Sequence, residues 1–115
     1  MKPIRTGGED VFPDEVEAVL RYHPDVADAA VVGVADRLLG ERLVALVQPA
    51  AGETAPTVEE LTEFCKARLV GYRVPRSVIP VEEIRRLASG HPDYDWARAV
   101  AAGAGSDGGE GGTAT

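Results

Sequence analysis

What this sequence lacks narrows its role before any motif is read. Its 115 residues include one cysteine, Cys65, so it has neither the pair for an internal disulfide nor the set for a cysteine-rich metal site. Two histidines, His23 and His91, leave a zinc site or a nucleophilic triad little to work with. No apolar run approaches the roughly 18–20 residues that span a membrane. The longest, Ala29 to Val34, is short and broken by Gly33. The N-terminal residues Met1-Lys2-Pro3-Ile4-Arg5-Thr6 carry no apolar core of the secretory kind. Basic residues are the minority, 12 Lys plus Arg against 19 Asp plus Glu for a net charge of -7. That balance argues against nucleic acid as a partner. The expectation is a reduced, metal-free, cytoplasmic protein with no membrane span.

What is present points to one folded domain. Hydrophobic residues make up 44% and charged residues 27%, both ordinary for a globular chain. A domain of this size has little room for a core and a deep ligand cavity together, so a complete enzyme pocket is not favoured. From residue 102 the sequence turns to glycine and small polar residues, and Gly103 to Thr115 has almost no apolar area to bury. Residues 102–115 are therefore expected to be a flexible tail and residues 1–101 the folded body.

The body alternates short elements. Ile4 to Thr6 and Glu9 to Phe12 flank Gly7-Gly8 and read as a hairpin. Pro13-Asp14-Glu15 suits a first helical turn, with Val16, Val19 and Leu20 on one face, and His23-Pro24 stops the helix. Val26 to Val34 reads as a strand, Asp36 to Gly40 as a polar loop, and Arg42 to Gln48 as a strand with Leu43, Ala45 and Val47 on one face. Thr57-Val58-Glu59-Glu60 is a capping box that opens a helix through Leu61, Phe64, Cys65 and Leu69, with Gly71 as its expected end. A third strand lies within Val74 to Val81, Arg85 to His91 is a basic loop, and Pro92 opens a last helix with Trp96 and Val100. The predicted fold is α+β: a small three-stranded sheet with packed helices plus an N-terminal β-hairpin.

Few residues in this pattern carry chemistry on their own. Gly7-Gly8 reads as a hairpin turn or as a place where backbone approaches a phosphate or a thioester arm. His23, at a helix end, reads as a capping or packing residue, and Cys65 as a buried structural thiol. His91 is a general base or phosphate contact only in principle, since no partner constellation surrounds it. Lys66, Arg68, Arg73, Arg76, Arg85 and Arg86 concentrate positive charge, either as an anion-facing edge or as solvated flanks. Tyr94 and Trp96 read as anchors of the last helix.

The order of the segments says more than any one of them. Gly7-Gly8-Glu9-Asp10-Val11-Phe12-Pro13-Asp14-Glu15-Val16-Glu17 resembles the opening of the C-terminal domain of adenylate-forming acyl-CoA synthetases, the AMP-binding enzyme superfamily. The resemblance continues in family order through residues 23–34, Gly40-Glu41-Arg42-Leu43-Val44-Ala45, Glu59-Glu60-Leu61 and Gly71-Tyr72-Arg73-Val74-Pro75. Ala88-Ser89-Gly90-His91 falls where the family has its "SGK" loop, and Pro92-Asp93-Tyr94-Asp95-Trp96-Ala97-Arg98 is similar to the tail of a bacterial fatty-acyl ligase branch.

The resemblance implies a mobile lid that serves two half-reactions on a large N-terminal domain. ATP with Mg²⁺ activates a carboxylic acid as its adenylate, helped by the loop lysine, and the acyl group then passes to coenzyme A along the glycine hairpin. It places Gly7, Gly8 and Glu9 on the thioester-forming face and Lys66 near the coenzyme A nucleotide. It also places His91 at the family lysine, and an imidazole is shorter and carries no permanent ammonium charge. The large domain and hinge are not in this sequence. The expectation is a separate lid that binds no ATP, Mg²⁺ or coenzyme A alone, needs an adenylation domain in trans, and is weak in adenylation. The alternative is a non-catalytic interaction module, a remnant that kept the fold.

Overall fold

In the computed structural model, residues 2–69 and 73–106 are described, and they form five strands and three helices. The Val- and Ala-rich stretch Val26–Asp36 is β3, and it pairs antiparallel with β4, Gly40–Pro49, from Val26 opposite Pro49 to Asp36 opposite Gly40. The turn between them is tied by Asp36, whose carboxylate accepts the amides of Leu38 and Leu39, both at 2.9 Å. Those amides hold the Asp36 carboxyl below its usual range.

β4 is the centre of the sheet. Its other edge pairs in parallel with β5, Ser77–Pro80, and its first residue, Gly40, pairs with Thr6 at the end of β1, Ile4–Thr6. β1 in turn forms the hairpin with β2, Glu9–Val11. The three-stranded sheet and N-terminal hairpin are thus present, joined through Gly40.

Both faces of the central pair are buried. Ala29, Val31, Leu43, Ala45 and Val47 pack under α1, Pro13–Leu20, and α2, Val58–Lys66, whose Leu20, Leu61 and Cys65 are each 1% exposed or less. Ala30, Val32, Val44 and Leu46 pack on the opposite side with Ile84 and with Ala97 and Ala101 of α3, Tyr94–Ser106. The sheet is therefore covered on both sides, not on the one side that Leu43, Ala45 and Val47 suggest. No helix among the described residues is long and apolar enough to cross a membrane.

The helix ends differ from the sequence reading. The capping box of α2 is formed, with Thr57 Oγ1 accepting from the Glu60 amide at 3.1 Å and Glu60 Oε1 accepting from the Thr57 amide at 2.9 Å. That helix ends at Lys66, and the expected terminator Gly71 lies outside the described residues, as do Tyr72 and Met1. α3 starts two residues after Pro92 because Asp93 caps it, its carboxylate accepting the Trp96 amide at 3.1 Å. It continues to Ser106, so residues 102–106 of the expected tail are helical: the alanines that lead into them favour helix, and Gly103 and Gly105 do not end it. Asp107 to Thr115 lie outside the described residues.

One buried carboxylate links the layers. Glu17 of α1 is 1% exposed and accepts the Val31 amide at 2.9 Å and the Tyr94 hydroxyl at 2.8 Å. β3 is an edge strand, so the Val31 amide faces away from β4, and Glu17 supplies the partner that a neighbouring strand would otherwise give. Burial pushes the Glu17 carboxyl above its ordinary 4.5, against the Val31 amide, the Tyr94 hydroxyl and Arg21, which pull it down. Tyr94 is pushed up in turn, by burial and by Glu17.

Two measurements test this packing. A methyl at Gly33 would lie 2.6 Å from Ile4 Cγ2 and 2.8 Å from Glu41 Oε2. Gly33→Ala should cost about 1–3 kcal/mol in denaturant unfolding by forcing β1 off β3. A loss below roughly 0.5 kcal/mol would show that β1 yields freely. The second test uses pH. Glu17 binds its proton more tightly folded than unfolded, so its stabilisation is complete below pH 4.5 and is lost as pH rises through its raised folded value. Asp28 has the opposite sign: burial raises it, but bonds from Arg86, Arg21 and the Ala29 amide prevail and hold it below 3.8. Its contribution is present above 3.8 and is lost as pH falls through the lower folded value. Glu17→Gln can still accept from Val31 and can donate to the Tyr94 oxygen. Its thermal midpoint should vary less with pH above 4.5 than the parent's; parallel profiles there would assign the dependence to another group.

Candidate functional site

The loop after Ile84 is closed by its own backbone. The Leu87 amide donates to the His91 carbonyl, the Gly90 amide to the Leu87 carbonyl, and the Asp93 amide to the Arg85 carbonyl, all within 2.8–2.9 Å. Gly90 makes the bend at φ +94°, a conformation costly for side chains with a Cβ. His91 follows it, exposed, with Nδ1 3.2 Å from Ser89 Oγ, which also accepts the His91 amide at 3.4 Å. Among the described residues its ring hydrogen-bonds Ser89 alone, so no carboxylate orients it as a base.

His91 lines an open groove of about 740 Å³ between the start of β1, the Gly33 stretch of β3 and the start of α3. Lys2 and Arg98 bring positive charge to this groove, Glu41 and Asp95 negative charge. Arg98 is engaged with Asp95 at 2.5 Å, and Glu41 accepts the Arg5 amide at 3.0 Å. Among the described residues no group of histidine, cysteine, aspartate and glutamate is arranged to hold a metal ion.

The other sequence-predicted residues lie elsewhere. Gly7 and Gly8 form the tip of the β1–β2 hairpin at φ +59° and +82°. The Gly7 amide donates to the Leu39 carbonyl at 2.9 Å, which ties the tip to the β3–β4 turn. A methyl at Gly8 would meet nothing within 4 Å, so glycine is needed there for conformation and not for space. Glu9 opens β2 and is exposed. Lys66, at the end of α2, is 3.9 Å from Glu63 and lines a second groove of about 670 Å³ with Thr62, Leu69, Val74 and Arg76. His91 and Lys66 thus line different grooves, and Gly7, Gly8 and Glu9 line neither.

The basic concentration is dispersed. Arg68 sits 3.8 Å over the Phe64 ring, Arg85 5.4 Å from the Trp96 ring, Arg73 3.8 Å from Glu15, and Arg86 on Asp28. Only Lys66 and Arg76 share a groove, so a single anion-binding edge is not assembled from the six. His23 caps locally, accepting the Asp25 amide at 3.1 Å, with its ring edge-on to Phe64. Cys65 is fully buried and its thiol is pushed up to about 11 by burial, which leaves it inert. The sequence reading missed the Asp28–Arg86 pair, because 58 residues separate the two and no spacing joins them.

Comparison with known proteins agrees with this arrangement. A family model described as the AMP-binding enzyme C-terminal domain matches residues 15–91. A medium/long-chain-fatty-acid–CoA/3-oxocholest-4-en-26-oate–CoA ligase of Mycolicibacterium smegmatis is 50% identical over 97 residues, covering 84% of this chain and 17% of the ligase. The crystal structure of a Brucella canis acyl-CoA synthetase superposes with a TM-score of 0.80 at 32% identity, over 89% of this chain and 19% of that one. The o-succinylbenzoate CoA synthetase of Bacillus subtilis, solved with its acyl-adenylate intermediate, gives 0.71 at 35% identity, over 79% and 18%. The chain spans less than a fifth of each of these proteins. With the two-sided sheet, the glycine hairpin and the closed loop at His91 in place, the chain belongs to the AMP-binding enzyme C-terminal domain family.

Proposed function

We propose that this chain supplies the lid domain of an ATP-dependent carboxylic acid–CoA ligase, working on a large adenylation domain. What supports the reading is the family match over residues 15–91 and the 50% identity with the C-terminal part of an acyl-CoA ligase. In the reaction the acid's carboxylate attacks the α-phosphorus of ATP and releases pyrophosphate. The thiolate of coenzyme A then attacks the acyl carbon and releases AMP. ATP with its Mg²⁺, the acid and coenzyme A are substrates held mainly by the partner domain, and this chain alone turns over none of them. A fatty or steroid carboxylic acid is the class in keeping with the segment Pro92–Arg98 and with the activities named for the Mycolicibacterium relative, and the adenylation domain selects it.

The residues divide between the two steps. In adenylation the loop brings position 91 to the reacting phosphate, where a lysine would add a fixed positive charge. His91 adds none, so this step is slow. In thioester formation the hairpin tip at Gly7 and Gly8 offers backbone without side chains to the pantetheine arm, and Glu9 flanks it. Lys66, with Arg76 beside it, is the contact for the coenzyme A nucleotide.

The identity of His91 itself favours a second reading, a non-catalytic module that kept the fold. Reconstitution separates the two. The full chain added to an isolated adenylation domain of a relative, with preformed acyl-adenylate and coenzyme A, should accelerate thioester formation in a saturable way. No acceleration at saturating chain would leave the non-catalytic reading in its place. In the same pair with acid and ATP, His91→Lys should raise pyrophosphate release by about 100-fold, the size of one preorganised charge. Equal rates for variant and parent would remove His91 from the family lysine's role.

A further inference from the structure

The groove residue His91 sits at the end of a chain of charge-assisted hydrogen bonds that begins at Arg21, the residue that follows α1. Arg21 donates to Asp28 Oδ1 at 3.1 Å, and the Ala29 amide donates to the same oxygen at 2.8 Å. Asp28, on edge strand β3 and only 18% exposed in its side chain, receives two further bonds from Arg86. Arg86 Nε reaches Oδ2 at 3.0 Å and Nη2 reaches Oδ1 at 2.6 Å, a two-pronged grip. The third prong, Nη1, donates to the Gly90 carbonyl at 2.5 Å. Gly90 is the residue immediately before His91 and the one that makes the bend. Arg86 and Pro92 also pair as an isolated bridge across the base of the loop. One planar guanidinium therefore spans from the sheet to the loop tip.

From this geometry we infer that Arg86, held by Asp28, is the positioning residue for position 91. It fixes the loop tip relative to β3 and so sets where the side chain at 91 enters the groove. The planar fork is required. A lysine at 86 carries the same charge and can pair with Asp28, but one ammonium on a flexible stem cannot grip the carboxylate in two places and hold the Gly90 carbonyl as well. The consequence for catalysis rests on the proposed lid function; the consequence for the loop does not.

The test compares the full chain with Arg86→Lys and Arg86→Gln. Amide hydrogen exchange at Leu87 and Gly90 should rise about tenfold or more in both variants, as expected when charge-assisted bonds that close a loop are lost. The nuclear Overhauser contact between the His91 ring and Ser89 should weaken in both. Exchange at Val32 and Val44, in the paired strands, should stay at the parent rate, and Arg86→Lys should keep most of the parent's thermal midpoint. Unchanged exchange at Leu87 and Gly90 would overturn the inference. An equal rise at Val32 and Val44 would also overturn it, because the pair would then serve the whole fold and not the loop. In the reconstituted pair carrying His91→Lys, adding Arg86→Lys should lower kcat for pyrophosphate release about tenfold with KM for ATP unchanged. An unchanged kcat would overturn the catalytic consequence. If His91→Lys releases no pyrophosphate above the parent, position 91 does not serve the family lysine's role, and the exchange data alone decide the role of Arg86.

Discussion

The buried carboxylate of Glu17 is the contact on which the layered arrangement depends. It lies where α1, the outer edge of β3 and the first residue of α3 meet, and it satisfies a donor from each of the last two. An edge strand with an unpaired amide is both an energetic cost and an invitation to pair with another chain. Glu17 removes both by presenting an acceptor that stays on its own helix. The same carboxylate fixes the Tyr94 hydroxyl, and with it the start of α3 against the sheet. Two helices on opposite sides of one sheet are thereby joined past its edge and not through it.

The loop that carries His91 and the hairpin that carries Gly7 are both referred to the β3–β4 pair. The first is tied by Arg86 to Asp28 near the start of β3, and the second by Gly7 to Leu39 in the turn between the strands. Rotation of the whole domain would exchange one for the other without internal rearrangement. Under the proposed lid function, such rigidity would let the domain offer its two faces in succession by turning as one body.

Much of the fold was legible because local chemistry dictates it. Gly7-Gly8 between two short apolar strands, Pro13 with acids at a helix start and the Thr57–Glu60 box each act within a few residues. The structure places elements at all three. The burial of both faces of β3 and β4 was less legible. Leu43, Ala45 and Val47 alternate in sequence with Val44 and Leu46, and only the position of α3 shows that the second set is buried as deeply as the first. The run Ala29-Ala30-Val31-Val32 carried that signal, since a strand with one wet face would not place four apolar residues in succession.

The site was legible in its parts and not in its assembly. His91 was identifiable from the segment Ala88-Ser89-Gly90 before it. Its neighbours in the groove, Ile4, Gly33 and Arg98, come from three separate elements, and no spacing in the sequence joins them. Asp28 and Arg86 are likewise distant in sequence, and their pairing required the strand and the loop to be placed first. Charged residues near strands are most often solvated, so charge alone did not distinguish Arg86 from Arg85.

The pairing pattern of β4 also bears on the order of folding. Its contacts with β3 close over a turn of three residues, whereas β1 and β5 reach it from opposite directions along the chain, β5 in parallel after α2. Loop closure for those two must be met before their contacts stabilise anything. The β3–β4 and β1–β2 hairpins are the parts of the sheet that can form locally. The contacts that join these hairpins to each other and to β5 span longer loops, so the two candidate faces are fixed relative to one another only once β4 has gathered all of its neighbours.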